Sequence, residues 1–300
     1  MKSLNALIKR NMKLFFKDKA LFFVAMISPM VLLVLFVSFL GSIYKGTFND
    51  IFSAMGITVA ENLVDGTVMT YLIASLLSVS CVTVAFCCNV MSIQDKINGV
   101  TEDFKATPVK KSTLGFSYFI ATFLVSGLIC LIILALAMIA LAIMGNFHFT
   151  FETILLSIGD VLLLSLFGSA LSSVICHFCT TQSQIGAISG IISSCYGFLC
   201  GAYMPISQFA GGIRTVISIL PGTFGTSLLK NHLLSGSLLE IQNSGVPGEA
   251  IDGLRNAFDL NLTAFGSNVE IPTMYIVLGA AVVVLTGVFI CLNFRKTKVK

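Results

Sequence analysis

Tryptophan is absent from this 300-residue chain, histidine occurs three times and proline six times. Charge is scarce as well: only 11 % of residues are Asp, Glu, Lys or Arg, against about 25 % in an ordinary soluble domain. The few charges are also unevenly placed. Ala20–Tyr44, Gly66–Gln94, Ser112–Phe151, Val161–Ile213 and Ile271–Phe294 carry none, the longest of these runs being 53 residues. A helix of roughly 20 apolar residues crosses the hydrocarbon layer of a bilayer. The distribution therefore excludes a soluble globular fold and predicts an all-α integral membrane protein.

Missing motifs narrow the chemistry. There is no H-E-x-x-H, no repeated Asp-rich metal motif and no G-x-S-x-G, each of which would mark a membrane hydrolase or metalloenzyme. No G-x-x-x-x-G-K-[ST] is present, so the chain is expected to bind no ATP through a phosphate loop of its own. His148, His177 and His232 lie far apart and outside the predicted spans. Nine cysteines are present, but Cys81, Cys87, Cys88, Cys130, Cys176, Cys195 and Cys291 fall inside apolar runs. They read as small buried hydrophobes rather than a disulfide or zinc framework.

Six spans are predicted, at 20–41, 67–90, 114–144, 154–176, 185–204 and 272–294. Fourteen of the eighteen basic residues then fall on one side, in the N-terminal arm, the 91–113 loop and the tail (Arg295, Lys296, Lys298, Lys300). Lys45, Arg214, Lys230 and Arg255 fall on the other side, with nine of the acidic residues. The positive-inside rule places both termini in the cytosol and assigns the net charge of +4 to orientation rather than to nucleic-acid binding. Retention of the first span as an anchor is expected, because no small-residue cleavage site follows it.

Residues 1–19 form a unit of their own. Leu4, Leu7, Ile8, Leu14 and Phe15 give one apolar helical face, and Lys9, Arg10, Lys13 and Lys17 crowd the remainder. Such a helix lies at the membrane interface, with its cations snorkelling to anionic headgroups. Residues 205–271 are expected to form an external re-entrant hairpin, broken by Pro205, Gly211-Gly212 and Pro221-Gly222, followed by a polar external cap. Non-helical backbone at that depth needs protein or water around it. In the fifth span, Gly186 and Gly190 have the spacing of a close helix–helix contact.

Asp160 is the lone Asp, Glu, Lys or Arg within the predicted spans. It has two readings: a carboxylate lining a pathway, or one solvated from the outer headgroups. Thr70, Ser75 and Ser78 of the second span likewise either line a path or bond to their own helix backbone.

The 91–113 loop is the most polar cytosolic segment after the arm. Thr101–Ala106 reads as a short helix with acidic residues at its positive end, stopped by Pro108. Gly99, Glu102, Phe104, Thr107 and Pro108 stand at the spacings of the pattern Gly-Thr-Leu-Glu-x-Leu-x-x-Thr-Pro. In this pattern and in its whole plan, the chain resembles the permeases of type-2 ATP-binding-cassette exporters, with Phe at a usual Leu and Val100-Thr101 at the usual Thr-Leu.

The resemblance implies that 91–113 is a cytosolic coupling helix seated on a separate ATPase subunit. The working unit would comprise two ATPase subunits, which hold ATP and Mg, and a second permease, identical or paralogous, in a bacterial plasma membrane. This chain would be a non-catalytic permease with no cofactor. The implied cargo is an amphiphilic drug, antimicrobial peptide or lipid-like molecule. A polysaccharide-exporting permease is the alternative, and an ion-coupled secondary transporter a more distant one.

Overall fold

The computed structural model describes residues 2–264 and 267–294. The Arg295–Lys300 tail, part of the charge argument for orientation, lies outside the described residues. The chain is almost wholly helical. Among the described residues, five helices are long and apolar enough to cross a membrane.

Helix α1 (Lys2–Lys17) is the amphipathic arm. The Asp18 side chain accepts from the Leu21 backbone N–H and so starts α2 (Lys19–Leu35). A π-helical turn, Phe36–Leu40, passes directly into α3 (Gly41–Ala54), so one continuous rod runs from Lys19 to Ala54. This is longer than the expected 20–41, and the extra turns carry the polar stretch beyond Gly41. Then follow α4 (Glu61–Ile97), α5 (Val100–Lys105), α6 (Lys111–Ile143) and α7 (Phe151–His177). Reciprocal Thr150–Thr153 and Thr181–Gln184 capping boxes start α7 and α8 (Gln182–Leu199), each satisfying amide donors that a helix leaves unpaired.

The centre of the bundle is α4, which packs on α2, α3, α6, α7, α8 and α10 (Pro221–Asn243). Its most apolar window is 94 % buried, against 19 % for the first rod and 17 % for α12 (Ile271–Phe294). A membrane helix buried on every side needs close neighbours, and Gly168 of α7 supplies one. A Cβ at Gly168 would lie 2.8 Å from the Cys81 carbonyl oxygen of α4. Gly186 and Gly190, expected to mark such a contact, face no atom within 4 Å. These residues lie on an exposed face of the chain, so the spacing marks no close contact within it.

The first and last described segments meet at one end of the bundle. Leu4, Phe289 and Asn293 line a common cavity there. At the opposite end lie the 144–150 turn, α11 (Gly248–Ala257) and a two-residue hairpin of β1 (Thr263–Ala264) and β2 (Ser267–Asn268). Helix α8 starts at the first end and stops partway. The chain then makes a short 3-10 turn and α9 (Gly211–Ile219) before Pro221 opens α10. The Thr223 hydroxyl lies 3.2 Å from the Leu199 carbonyl oxygen, so α10 begins where α8 ends and carries on toward the cap. Its flank at Gly236 meets the His148 backbone in the 144–150 turn.

Two expectations change here. Helix α10 runs on to Asn243, well into the stretch expected to form the hairpin and polar cap. Lys230 and His232, placed outside the spans by sequence, lie inside α10 at 1 % and 8 % exposure. The averaged polarity of the segment concealed a helix whose polar groups are satisfied by its neighbours. The cysteines are free thiols, mostly buried as expected, but Cys195 and Cys291 are exposed.

Candidate functional site

Gly99 ends α4 with φ +77°, a left-handed conformation that favours glycine. The turn it makes projects α5 from the bundle, between the ends of α4 and α6. Glu102 and Asp103 occupy the first turn of α5 and are exposed, where they complement the positive end of the helix. The Thr107 hydroxyl donates to the Phe104 carbonyl at 2.7 Å, and Pro108 follows. The predicted helix thus begins one residue earlier than expected and stops where Pro108 requires. Glu102, Thr107 and Pro108 face outward, while Phe104 is half-buried.

Phe104 turns toward α1, where the Arg10 guanidinium carbon stands 5.5 Å from its ring centre. The same guanidinium donates to Asp95 near the end of α4, at 2.7 Å to Oδ2 and 3.3 Å to Oδ1. The Tyr118 hydroxyl of α6 donates to the same carboxylate. Asn11 extends the cluster by donating to Ser117 Oγ at 3.3 Å. The hydrogen bonds that Arg10 donates to Asp95 push its pKa still higher, against the lowering effect of burial. One ionic cluster therefore binds α1, α4, α5 and α6 together. Beside it, a cavity of about 260 Å³ opens among Lys96, Thr101, Glu102, Phe104, Tyr118 and Asn293. Lys96 reaches the Cys176 and His177 carbonyls at 3.3 and 3.4 Å, placing a cation at the C-terminal end of α7.

Arg10 departs from the expected role of lipid anchor: it points into protein. Lys9, Lys13 and Lys17 remain exposed. The difference has a simple origin. Asp95 and Tyr118 are distant in sequence, and only the packing of α1 on α6 brings a carboxylate within reach of the arm.

In the other half of the bundle, Asp160 is 1 % exposed. It does not reach headgroup water, because His232 of α10 and Tyr275 of α12 enclose it. Thr70 and Ser78 donate to the Gly66 and Ala74 carbonyls of their own helix, each at 2.8 Å. Ser75 is fully buried on the same helix. All three face the interior of a single chain. Lys230, read from sequence only as a basic residue on the far side, donates to the Gly201 carbonyl at 2.8 Å and to Tyr71 at 3.1 Å. Its charge therefore closes the open end of α8.

Taken together, the helical bundle, the amphipathic arm and the exposed helix between the long rods α4 and α6 define a multi-pass membrane transport component. The chain belongs to the ABC-2 type transporter family, which it matches over residues 2–233. The match runs from α1 into α10. It makes the chain a membrane permease component of an ATP-binding-cassette transporter, a class that works with ATPase subunits. No curated protein sequence matches the chain.

Proposed function

We propose that this chain is the permease of an ATP-driven exporter, working with a second permease, identical or paralogous, and with two cytosolic ATPase subunits that hold ATP and Mg. The observation that carries this reading is the exposed α5, held between α4 and α6 and tied to α1 through Arg10. A push on α5 from an attached ATPase is transmitted to two long rods and to the interfacial arm at once. Rocking of two such bundles changes access to a space between them, a population shift driven by nucleotide. In this reading α8 and α10 together make one broken crossing. The bundle then has six crossings, with both described ends on the cytosolic side.

An amphiphilic drug, antimicrobial peptide or lipid-like cargo fits the surface best. A groove of about 510 Å³ lies between the first rod and the 203–208 turn, lined by Leu32, Phe36, Phe39, Phe198, Tyr203 and Pro205. Asp160, Thr70, Ser75 and Ser78 are assigned to holding the bundle rather than to contacting cargo.

The test is co-purification with the partner ATPase, followed by ATP turnover. Glu102→Ala and Phe104→Ala are expected to weaken association and lower turnover several-fold, with the purified permease still folded. Full association and turnover in both variants would remove α5 as the docking element.

A further inference from the structure

Asp160, His232 and Tyr275 come from α7, α10 and α12 and converge on one point. His232 Nδ1 lies 2.6 Å from Asp160 Oδ2, and the Tyr275 hydroxyl donates to Asp160 Oδ1 at 2.5 Å. The His232 and Tyr275 rings are near parallel, with centres 6.2 Å apart. Asp160 is the tenth residue of α7, about 14 Å along the axis from its start, and so at membrane depth. An ionisable group there is costly and calls for a function as well as a partner.

We propose that these three residues form a proton-binding switch, which fixes α10 against α7 and α12 when His232 is protonated. The charge balance gives the direction. A carboxylate accepts hydrogen bonds and donates none, so His232 Nδ1 carries the hydrogen toward Asp160. The proton that comes and goes is therefore on Nε2, exchanged with water. With imidazolium, the trio has no net charge. With neutral imidazole, it carries one uncompensated negative charge in the bundle interior, which costs free energy. Histidine is the side chain whose charge ordinarily changes between about pH 5 and 8. The His232 side chain is 10 % exposed against 1 % for Asp160, so the imidazole is the member with the contact to solvent.

The surrounding charges do not supply the missing cation. On α10, Lys230 is turned to Tyr71 and the Gly201 carbonyl, and Glu240 is exposed. Helix α4 carries no Asp, Glu, Lys, Arg or His between Asp65 and Asp95, and its Tyr71 faces Lys230. Arg255 of α11 donates to Asn231 at 3.1 Å, and Arg214 of α9 is exposed. The 144–150 turn brings the backbone of His148 against Gly236, four residues further along α10.

The switch acts on the one helix that continues a broken rod into the external cap. Its input is the proton, separate from nucleotide. It depends on neither the cargo nor the docking role of α5.

The experiment is backbone hydrogen exchange on the full-length chain in lipid nanodiscs, at about pH 5.5 and about pH 7.5, on either side of the histidine range. Rates are corrected for intrinsic exchange. Peptides within 221–243 are expected to exchange on the order of tenfold more slowly at the lower pH, the low end of what a hydrogen bond to a charged group contributes. His232→Gln keeps a donor toward Asp160 but takes up no proton, and it should abolish the difference. Asp160→Asn should do the same. Tyr275→Phe should keep the pH response and lower protection at both values. No pH difference in the wild-type α10, or an equal one in His232→Gln, overturns the switch.

Discussion

Arg10 and Asp95 are 85 residues apart in sequence and 2.7 Å apart in space. The pair fixes the interfacial arm to the end of the central helix, just before the chain turns into α5. Without it, α1 would be held to the bundle by apolar contact and the Asn11–Ser117 hydrogen bond, and movement of α5 would reach it less directly.

Removing one member of this pair leaves the other charge poorly compensated. Arg10→Gln is expected to destabilise the purified chain by about 1–3 kcal/mol. This is below the roughly 3–5 of a fully buried pair, because the Arg10 side chain is 29 % exposed. Thermal unfolding of Arg10→Gln, Asp95→Asn and the double variant measures it. The double variant should cost clearly less than the sum of the single ones, and additive costs would show that the two residues act independently.

Two glycines on consecutive helices, α7 and α8, should respond differently. Gly168→Ala places a methyl group against the backbone of Cys81 and Val82, which cannot retreat as a flexible side chain would. A loss of about 1–3 kcal/mol is expected from such overpacking. Gly190→Ala meets open space and should be neutral, or stabilising by up to about 1 kcal/mol through better helix propensity. Unfolding of the isolated chain distinguishes them, and equal effects would place the close contact elsewhere.

Asp259 adopts φ +56° and accepts from the Ile206 N–H. Burial pushes its carboxyl above the ordinary range, only partly offset by Lys230 and by backbone donors. A carboxyl raised on folding binds its proton more tightly in the folded state. Its contribution is then fully present in acid and is lost as pH rises through the raised value. Asp259→Asn tolerates the same backbone conformation and does not titrate. The wild type should therefore lose stability relative to this variant as pH climbs from the ordinary carboxylate range toward neutrality. A stability difference that stays flat with pH would show that the carboxyl is not raised.

The long charge-free runs made the long rods legible, because a bilayer leaves little choice but helices there. Pro108 marked the end of α5, since it restricts the residue before it. The broken rod was harder to read. Lys230, Asn231 and His232 interrupt the apolar run of α10, and sequence polarity alone assigned them to an external segment. Their partners Gly201, Leu260 and Asp160 are 29 to 72 residues away, beyond any local pattern.

The sequence alone determined that this protein lives in a membrane, where most of its long apolar helices lie and where one short helix stands between two of them. These follow from local physics: the cost of burying charge in hydrocarbon, and the backbone restriction that proline imposes. Tertiary structure alone decided which polar groups meet: Arg10 with Asp95, Lys230 with the end of α8, Asp160 with His232 and Tyr275. A buried charge must find a partner, but only the packing of helices distant in sequence settles which one it finds.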